Sequence, residues 1–318
     1  MSSKEVVKRA IARQNPPRVP INYANRDQDR SDVRWIGFKP AATFASSKPG
    51  ETEWGYVWES LDGTIGQPRD LPLADWERFL EYLPPDPHTD GRMDGFEPFI
   101  EENKDKFIIA GLGISGFNQA TFLRGFEALL EDLYTDRMRA EAVLDVVFEF
   151  EIGIIGRSCC HDVDAISFAD DWGTQKGLMI SPDLWRQVFR PRYAKQFDQA
   201  HRAGKLVWFH SCGDIRAIIP DLIDIGVDVL ELLQPDIFGV EYLATNFGGK
   251  VCFCCSVDHQ RRAVSGTRAE VFAYARHLRD QLGRFNGGFI GYIEDYPSLG
   301  MSNENYQWIS EAFQALNE

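Results

Sequence analysis

The sequence has no apolar run of the roughly 20 residues that a membrane-spanning helix requires. Its longest apolar stretches, such as residues 107–116, fall far short of that. The opening MSSKEVVKRAIARQNPPRVP is polar and carries no apolar core, so it does not read as a secretory signal, and a cytoplasmic protein is expected. Cysteine is sparse, six in 318 residues, and grouped at 159–160, 212 and 252–255, which gives no disulfide framework. Positive charge is in deficit: 34 basic against 48 acidic residues leave a net charge of −14. Phosphate backbones need clustered Lys and Arg, so nucleic acid is excluded as a main partner and an anionic membrane surface is disfavoured. An anionic small substrate, held by a few local cations, is still allowed. Internal repeats, low-complexity tracts and interdomain linkers are missing. So are G-x-S-x-G, H-E-x-x-H and a phosphate-binding glycine loop, which removes most support for a serine hydrolase, a zincin or a P-loop enzyme.

What remains has the composition of a soluble globular chain, with 44% hydrophobic, 26% charged and 13% aromatic residues. Residues 3–14 read as an amphipathic helix stopped by Pro16 and Pro17, residues 19–23 as a strand, and 72–83 as a helix. Residues 24–66 look irregular, a length that in a compact domain usually serves function, and a cover over the barrel mouth is expected. From residue 105 onward, apolar runs at 107–111, 165–169, 206–210, 227–233, 251–255 and 288–293 alternate with helical segments near 119–133, 136–156, 181–203, 215–225, 267–284 and 303–316. Continuous apolar strands separated by helices imply a parallel sheet covered on both faces. With the first strand and one less distinct strand the count approaches eight. The expected fold is therefore an α/β (β/α)8 TIM barrel, one domain over 1–318. A doubly wound open sheet is the runner-up, but no G-x-G-x-x-G follows a strand.

Four strand ends carry chemistry. In LVWFHSCGDI, His210 and Cys212 share a face at a strand's C-terminal end, where barrel active sites lie. An imidazole and a thiolate at this spacing supply half of a tetrahedral zinc site; the plain alternative is a core histidine and a small buried thiol. In VCFCCSVDHQ, Cys252 and Cys254 alternate to one face and Cys255 to the other, ahead of Asp258, His259 and Gln260. These cysteines read first as barrel filling, with Cys254 or Cys255 as alternates near a metal or substrate. In ISFADDWGTQKG a strand runs into Asp170 and Asp171, candidates for acid–base work beside His210. Trp172 and Gln175 follow as candidate substrate contacts. The alternative for the acids is a helix cap and a solvated loop. In GGFIGYIEDYP the last strand ends in Glu294, Asp295 and Tyr296, and one of these oxygens can complete the His210–Cys212 pair. Asn22 and Tyr23 of the first strand, and Gln234 after the 227–233 run, join Asp258 and His259 as further candidate substrate contacts. Cys159-Cys160 and His161 precede a strand, on the stability face of a barrel.

These residues resemble the uroporphyrinogen decarboxylase-like superfamily of (β/α)8 barrels, and within it the branch of cobalamin (corrinoid)-dependent methyltransferases. The matching pieces are NPPRVPI, EWGYVWESLDGTIGQP with PLADWERF, FLRGFEALLEDLYTD, DDWGTQKGLMISPDLWRQVFRPRY, HSCGDIRAIIPDLIDIGVDVLELLQPD, GKVCFCCSVDHQ and the ending GGFI…SNENYQ. The resemblance implies a zinc site of H-x-C plus a late cysteine, with His210 and Cys212 as the first two ligands. The third position falls at or next to Asp295, and no cysteine follows Cys255, so Asp295 or Glu294 is expected in its place. A carboxylate is a competent but harder zinc ligand. The place of the arginine-rich motif of the heme-pathway decarboxylases reads NYANRDQDR, with Arg26 and Arg30 but not that pattern. Uroporphyrinogen is therefore not the expected substrate.

The first expectation is a zinc-assisted methyltransferase. It moves a methyl group between a small O- or N-methyl compound, or a thiol acceptor, and a corrinoid on a partner protein, with demethylation favoured. The second is a decarboxylase-type lyase acting on a small carboxylate with Asp170 or Asp171 as the acid. A third is a non-catalytic barrel that binds a corrinoid or another ligand.

Overall fold

The computed structural model describes residues 1–60 and 66–318. Eight strands form one parallel sheet: β1 (Ile21–Tyr23), β2 (Val33–Gly37), β3 (Phe107–Ile114), β4 (Ala165–Ala169), β5 (Leu206–His210), β6 (Val229–Leu232), β7 (Cys252–Ser256) and β8 (Phe289–Ile293). Neighbours in sequence are neighbours in the sheet from β2 through β8, and β8 pairs with β1. The barrel is therefore nearly closed, lacking only a β1–β2 ladder, and the expected TIM-barrel-like α/β fold is present. Side chains hold the β1–β2 seam. Asp32 accepts from the Ile21 amide (2.9 Å), from Ser3 (2.6 Å) and from the Arg18 guanidinium, and its own amide donates to the Ile21 carbonyl at 2.8 Å.

Strand alternation sorts the core into two parts. Val33, Phe107, Ile109, Ala165, Trp208, Val229, Cys252, Cys254, Ile290 and Tyr292 fill the barrel interior. Ile108, Ile166, Phe168, Val207, Phe209, Leu230, Phe253 and Cys255 face the helices. This is the layered packing of a closed barrel. The N-terminal helix (Ser3–Ile11) opens with a capping box of Ser2 and Glu5. Its Val7, Ala10 and Ile11 join the interior cluster and plug the barrel floor.

The differences from the sequence reading are local, and the helix expected over 181–203 is two, Pro182–Val188 and Arg190–Arg202. Within the irregular 24–66 span, Val33–Gly37 pairs with β3 as the second barrel strand; it is too short and too mixed (VRWIG) to show a period. The expected helix near 119–133 is two helices, Gly116–Arg124 and Phe126–Thr135, parted at Gly125, whose φ of 98° no helix accommodates. The helix expected over 72–83 is a short 3-10 turn, Trp76–Leu80. Residues 38–60 pack beside the C-terminal end of β3: Trp54 meets Phe150 edge-on at 4.8 Å, and the Tyr56 hydroxyl donates to Gln119. The rest of the proposed cover, residues 61–65, lies outside the described residues.

One buried acid makes the fold pH-sensitive. Glu151, on the helix Arg137–Ser158, accepts from the Gly116 amide and from Gln196 Nε2, both at 2.7 Å. Burial pushes its carboxyl up to about 7, against the pull of these two donors. Gln196 Oε1 has no partner; reversing the amide lets it accept the Glu151 proton. The folded chain thus binds a proton that the unfolded chain, with an ordinary carboxyl, releases. This contribution is complete below the unfolded value and is lost as pH rises toward about 7. Glu151→Gln is expected to flatten the decline. In urea melts between about pH 5 and 8 the wild type should lose on the order of 2–3 kcal/mol more than the variant. Equal pH slopes would contradict the protonated assignment.

Candidate metal centre

The turns after β4 and β5 are laced together by their backbones. The Asp170 amide donates to the His210 carbonyl (3.1 Å), Gly173 to Cys212 (3.1 Å), and Asp214 to Thr174 (2.8 Å). Ser211 Oγ accepts from the Trp172 amide at 3.0 Å. Gly173 and Gly213 meet back to back, so a Cβ on either would overlap the other's backbone. Gly213 also has φ +75°, a conformation that suits glycine. This contact sets Asp171 Oδ1 against the Cys212 amide at 2.7 Å. Asn118 completes the placement by accepting from the Asp171 amide at 2.6 Å.

The result is a three-residue cluster. His210 Nε2 lies 3.5 Å from Asp171 Oδ1 and 3.5 Å from Cys212 Sγ. All three donor atoms fall within 4.8 Å of one another. The edges of a tetrahedral zinc site with these ligands are about 3.3–3.6 Å, so the donor set suits zinc in chemistry and its two edges at His210 match in spacing. The cluster is open to solvent on the Asp171 side, whose side chain is 43% exposed against 18% for His210. A fourth position can therefore be reached from outside.

Behind the imidazole stands Glu231. It pairs with His210 across β5 and β6, and its Oε1 lies 3.1 Å from His210 Nδ1, off the line of a good hydrogen bond. Its Oε2 accepts from Trp208 Nε1 at 2.7 Å. A carboxylate on the far nitrogen of a metal-binding histidine fixes the ring and raises its basicity. Burial penalises the His210 cation, but Asp171, Cys212 and Glu231 outweigh it and hold its pKa well above the ordinary value. Burial also opposes the Asp171 charge, and His210 reverses the balance, so that carboxyl titrates low.

Asp295, the expected third ligand, sits elsewhere. Its carboxylate pairs with Arg26 at 3.0 Å, and its backbone exchanges hydrogen bonds with the Asn25 side chain. Asp171 is the carboxylate that lies with His210 and Cys212. Glu294 is nearer: Tyr292 donates to it at 3.1 Å, and burial together with the Glu231 charge raises it to about 7, with His210 pulling the other way. Cys254 lies in the barrel interior beside Glu231 and Asn22, and burial pushes its thiol far up; Cys255 faces the helices. Neither joins the cluster.

Asp170, expected as a catalytic acid, is fully buried and caps a helix instead. It accepts from the Phe117 (2.7 Å) and Asn118 (2.9 Å) amides and from the Tyr193 hydroxyl. Burial keeps its pKa well above the ordinary carboxyl value. Trp172 is core, stacked on Phe117 at 4.7 Å with its indole donating to Tyr193. Tyr23 points outward to Ser310 and Gln314. Gln175 is exposed at the tip of the hairpin 173–178.

His259 lies near the cluster, and Asn22 lies beside Trp35 and Cys254. Asn22 accepts from Trp35 Nε1 and keeps an unpartnered, buried Nδ2. His259 lies beside Tyr292 and Tyr296, and burial plus the nearby His210 charge lowers its pKa to about 4. Gln234 accepts from the Gly213 amide, and Asp258 caps the turn at 260–261. The sequence reading missed Glu231 and Asn118. Glu231 had a signal, an acid within an apolar strand at the position paired with His210.

Residues 70–290 match the family described as Uroporphyrinogen decarboxylase (URO-D). A methyltransferase from Methanosarcina mazei superposes with a TM-score of 0.73 at 14% identity, covering 99% of each chain, and so shares the fold throughout. A 3-keto-D-glucoside 4-epimerase from E. coli gives a TM-score of 0.43 at 14% identity, covering 69% of this chain and 82% of its own. No curated protein matches.

The two-glycine contact gives a direct test. Gly213→Ala should force the turns apart and lower the thermal midpoint, consistent with a cost of a few kcal/mol for a backbone clash at positive φ. An unchanged melting curve would show that the contact is slack.

Proposed function

We propose, since this chain belongs to the uroporphyrinogen decarboxylase (URO-D) family, that it is a methyltransferase using one metal-assisted site at the barrel mouth. Its expected reaction moves a methyl group between a small methylated O- or N-compound, or a thiol, and a corrinoid carried by a partner protein. The observation that carries this reading is the Asp171–His210–Cys212 cluster with Glu231 behind it. The shared fold with a methyltransferase is consistent with it.

Asp171, His210 and Cys212 would hold a zinc ion, whose role is to act as a Lewis acid on the heteroatom that carries or accepts the methyl group. The remaining work falls to the chain itself. Glu231 keeps His210 Nε2 aimed at the open side. His259 stays neutral at physiological pH, because its pKa is near 4, and adds no charge to the site. Glu294, titrating near 7, can hold a proton at neutrality or release it to a departing heteroatom. Among the described residues no helix is long and apolar enough to cross a membrane.

Three expected outcomes test the reading. Protein purified without chelator should carry about one zinc per chain; Cys212→Ala should bring it near zero, while Asp295→Ala leaves it unchanged. Glu231→Gln should retain the fold and weaken zinc by roughly ten- to a hundredfold in chelator competition. Zinc-loaded protein should demethylate methylated substrates with cob(I)alamin, and Cys212→Ala should not. Metal-free wild type that instead releases CO2 from a small carboxylate would move the assignment to a lyase.

A further inference from the structure

A cavity of about 460 Å³ lies between residues 38–58 and the C-terminal end of β3. That is the size of a small-molecule site. Six of its fourteen described wall residues are aromatic: Phe38, Phe44, Trp54, Tyr56, Trp58 and Phe150. Gln119 also lines it and is 5% exposed. The Tyr56 hydroxyl reaches Gln119 Oε1 at 3.4 Å, and Gln119 Nε2 has no partner. Reversing the amide only exchanges which atom is unmatched. A buried, unmatched amide atom costs about 1–3 kcal/mol, which a ligand oxygen would recover.

The polar groups of the wall do not suit an anion, and two of its three carboxylates are already matched. No Lys, Arg or His is among the described lining residues, so an anion finds no counter-charge. Glu53 is already paired with the buried Arg92, and Glu51 accepts from the Ser47 amide. Glu151 is committed to Gly116 and Gln196. A hydroxyl or ether oxygen can meet Gln119 without bringing a charge, and an aryl ring suits the aromatic residues of the wall.

We propose that this cavity binds a neutral aromatic molecule carrying a hydroxyl or ether oxygen, its ring among Phe38, Trp54, Tyr56 and Phe150 and its oxygen on the Gln119 amide. The adjacent residue, Asn118, holds the Asp171 amide, so neighbouring positions on one helix serve the cavity and the cluster. The inference concerns binding alone and does not rest on the methyl-transfer reading.

Calorimetric titration of the full chain with 4-methoxyphenol, benzoate and choline tests it. The expected result is saturable one-to-one binding of 4-methoxyphenol, with no heat from the anion or the cation. Gln119→Leu should weaken that binding about tenfold. Ile114→Trp, at the cavity rim, should weaken it independently and carries the test if the first variant does not fold. Absence of 4-methoxyphenol binding, equal affinity in both folded variants, or choline binding in its place would each overturn the proposal.

Discussion

The close approach of Gly173 and Gly213 underlies the candidate site. Two turns from adjacent strands can share a backbone ladder at this distance only because neither carries a Cβ. The ladder then dictates the rest. It brings the Asp171 carboxylate to the Cys212 amide, and strand alternation carries His210 to the same place. A ligand set drawn from two neighbouring strand ends needs no long loop to assemble it. It also explains why the distant Asp295 is free to pair with Arg26 and join the first and last strands.

Charge around His210 is arranged in depth. Trp208, fully buried, donates to Glu231; Glu231 faces the inner ring nitrogen; Asp171 and Cys212 face the outer one. Each step toward the mouth is more exposed. A cation at the outer nitrogen is favoured by two carboxylates in a poorly solvated setting, where Coulomb terms are stronger than in water. The neutral His259 does not oppose it. The same logic separates Asp170 from Asp171. They are adjacent in sequence but lie on opposite sides of the chain, one spent on a helix N-terminus and a tyrosine, the other on the open cluster.

The barrel was legible because six of its eight strands are short apolar runs that alternate with helical segments. Val33–Gly37 was hidden because five mixed residues carry no period. Gly125 was readable as a glycine but not as a break, since only the backbone shows its positive φ. At the site, H-x-C reads from the sequence as one shared face, and His210 and Cys212 do share a cluster, although Cys212 sits in the turn beyond β5 and is placed there by the Gly173–Gly213 contact. The oxygen partner did not follow. Parity says which face a residue takes within a strand, but beyond the strand end the turn decides, and Asp170 and Asp171 divide there. Trp172 shows the same limit: a tryptophan after a strand reads as a stacking platform, whereas the turn folds it into the core.

The most direct test of the account is zinc K-edge X-ray absorption on the metal-loaded wild type. One sulfur at about 2.3 Å, with nitrogen and oxygen neighbours near 2.0–2.2 Å, is the predicted shell. Two or more sulfurs would bring Cys254 or Cys255 into the site and contradict the Asp171–His210–Cys212 assignment.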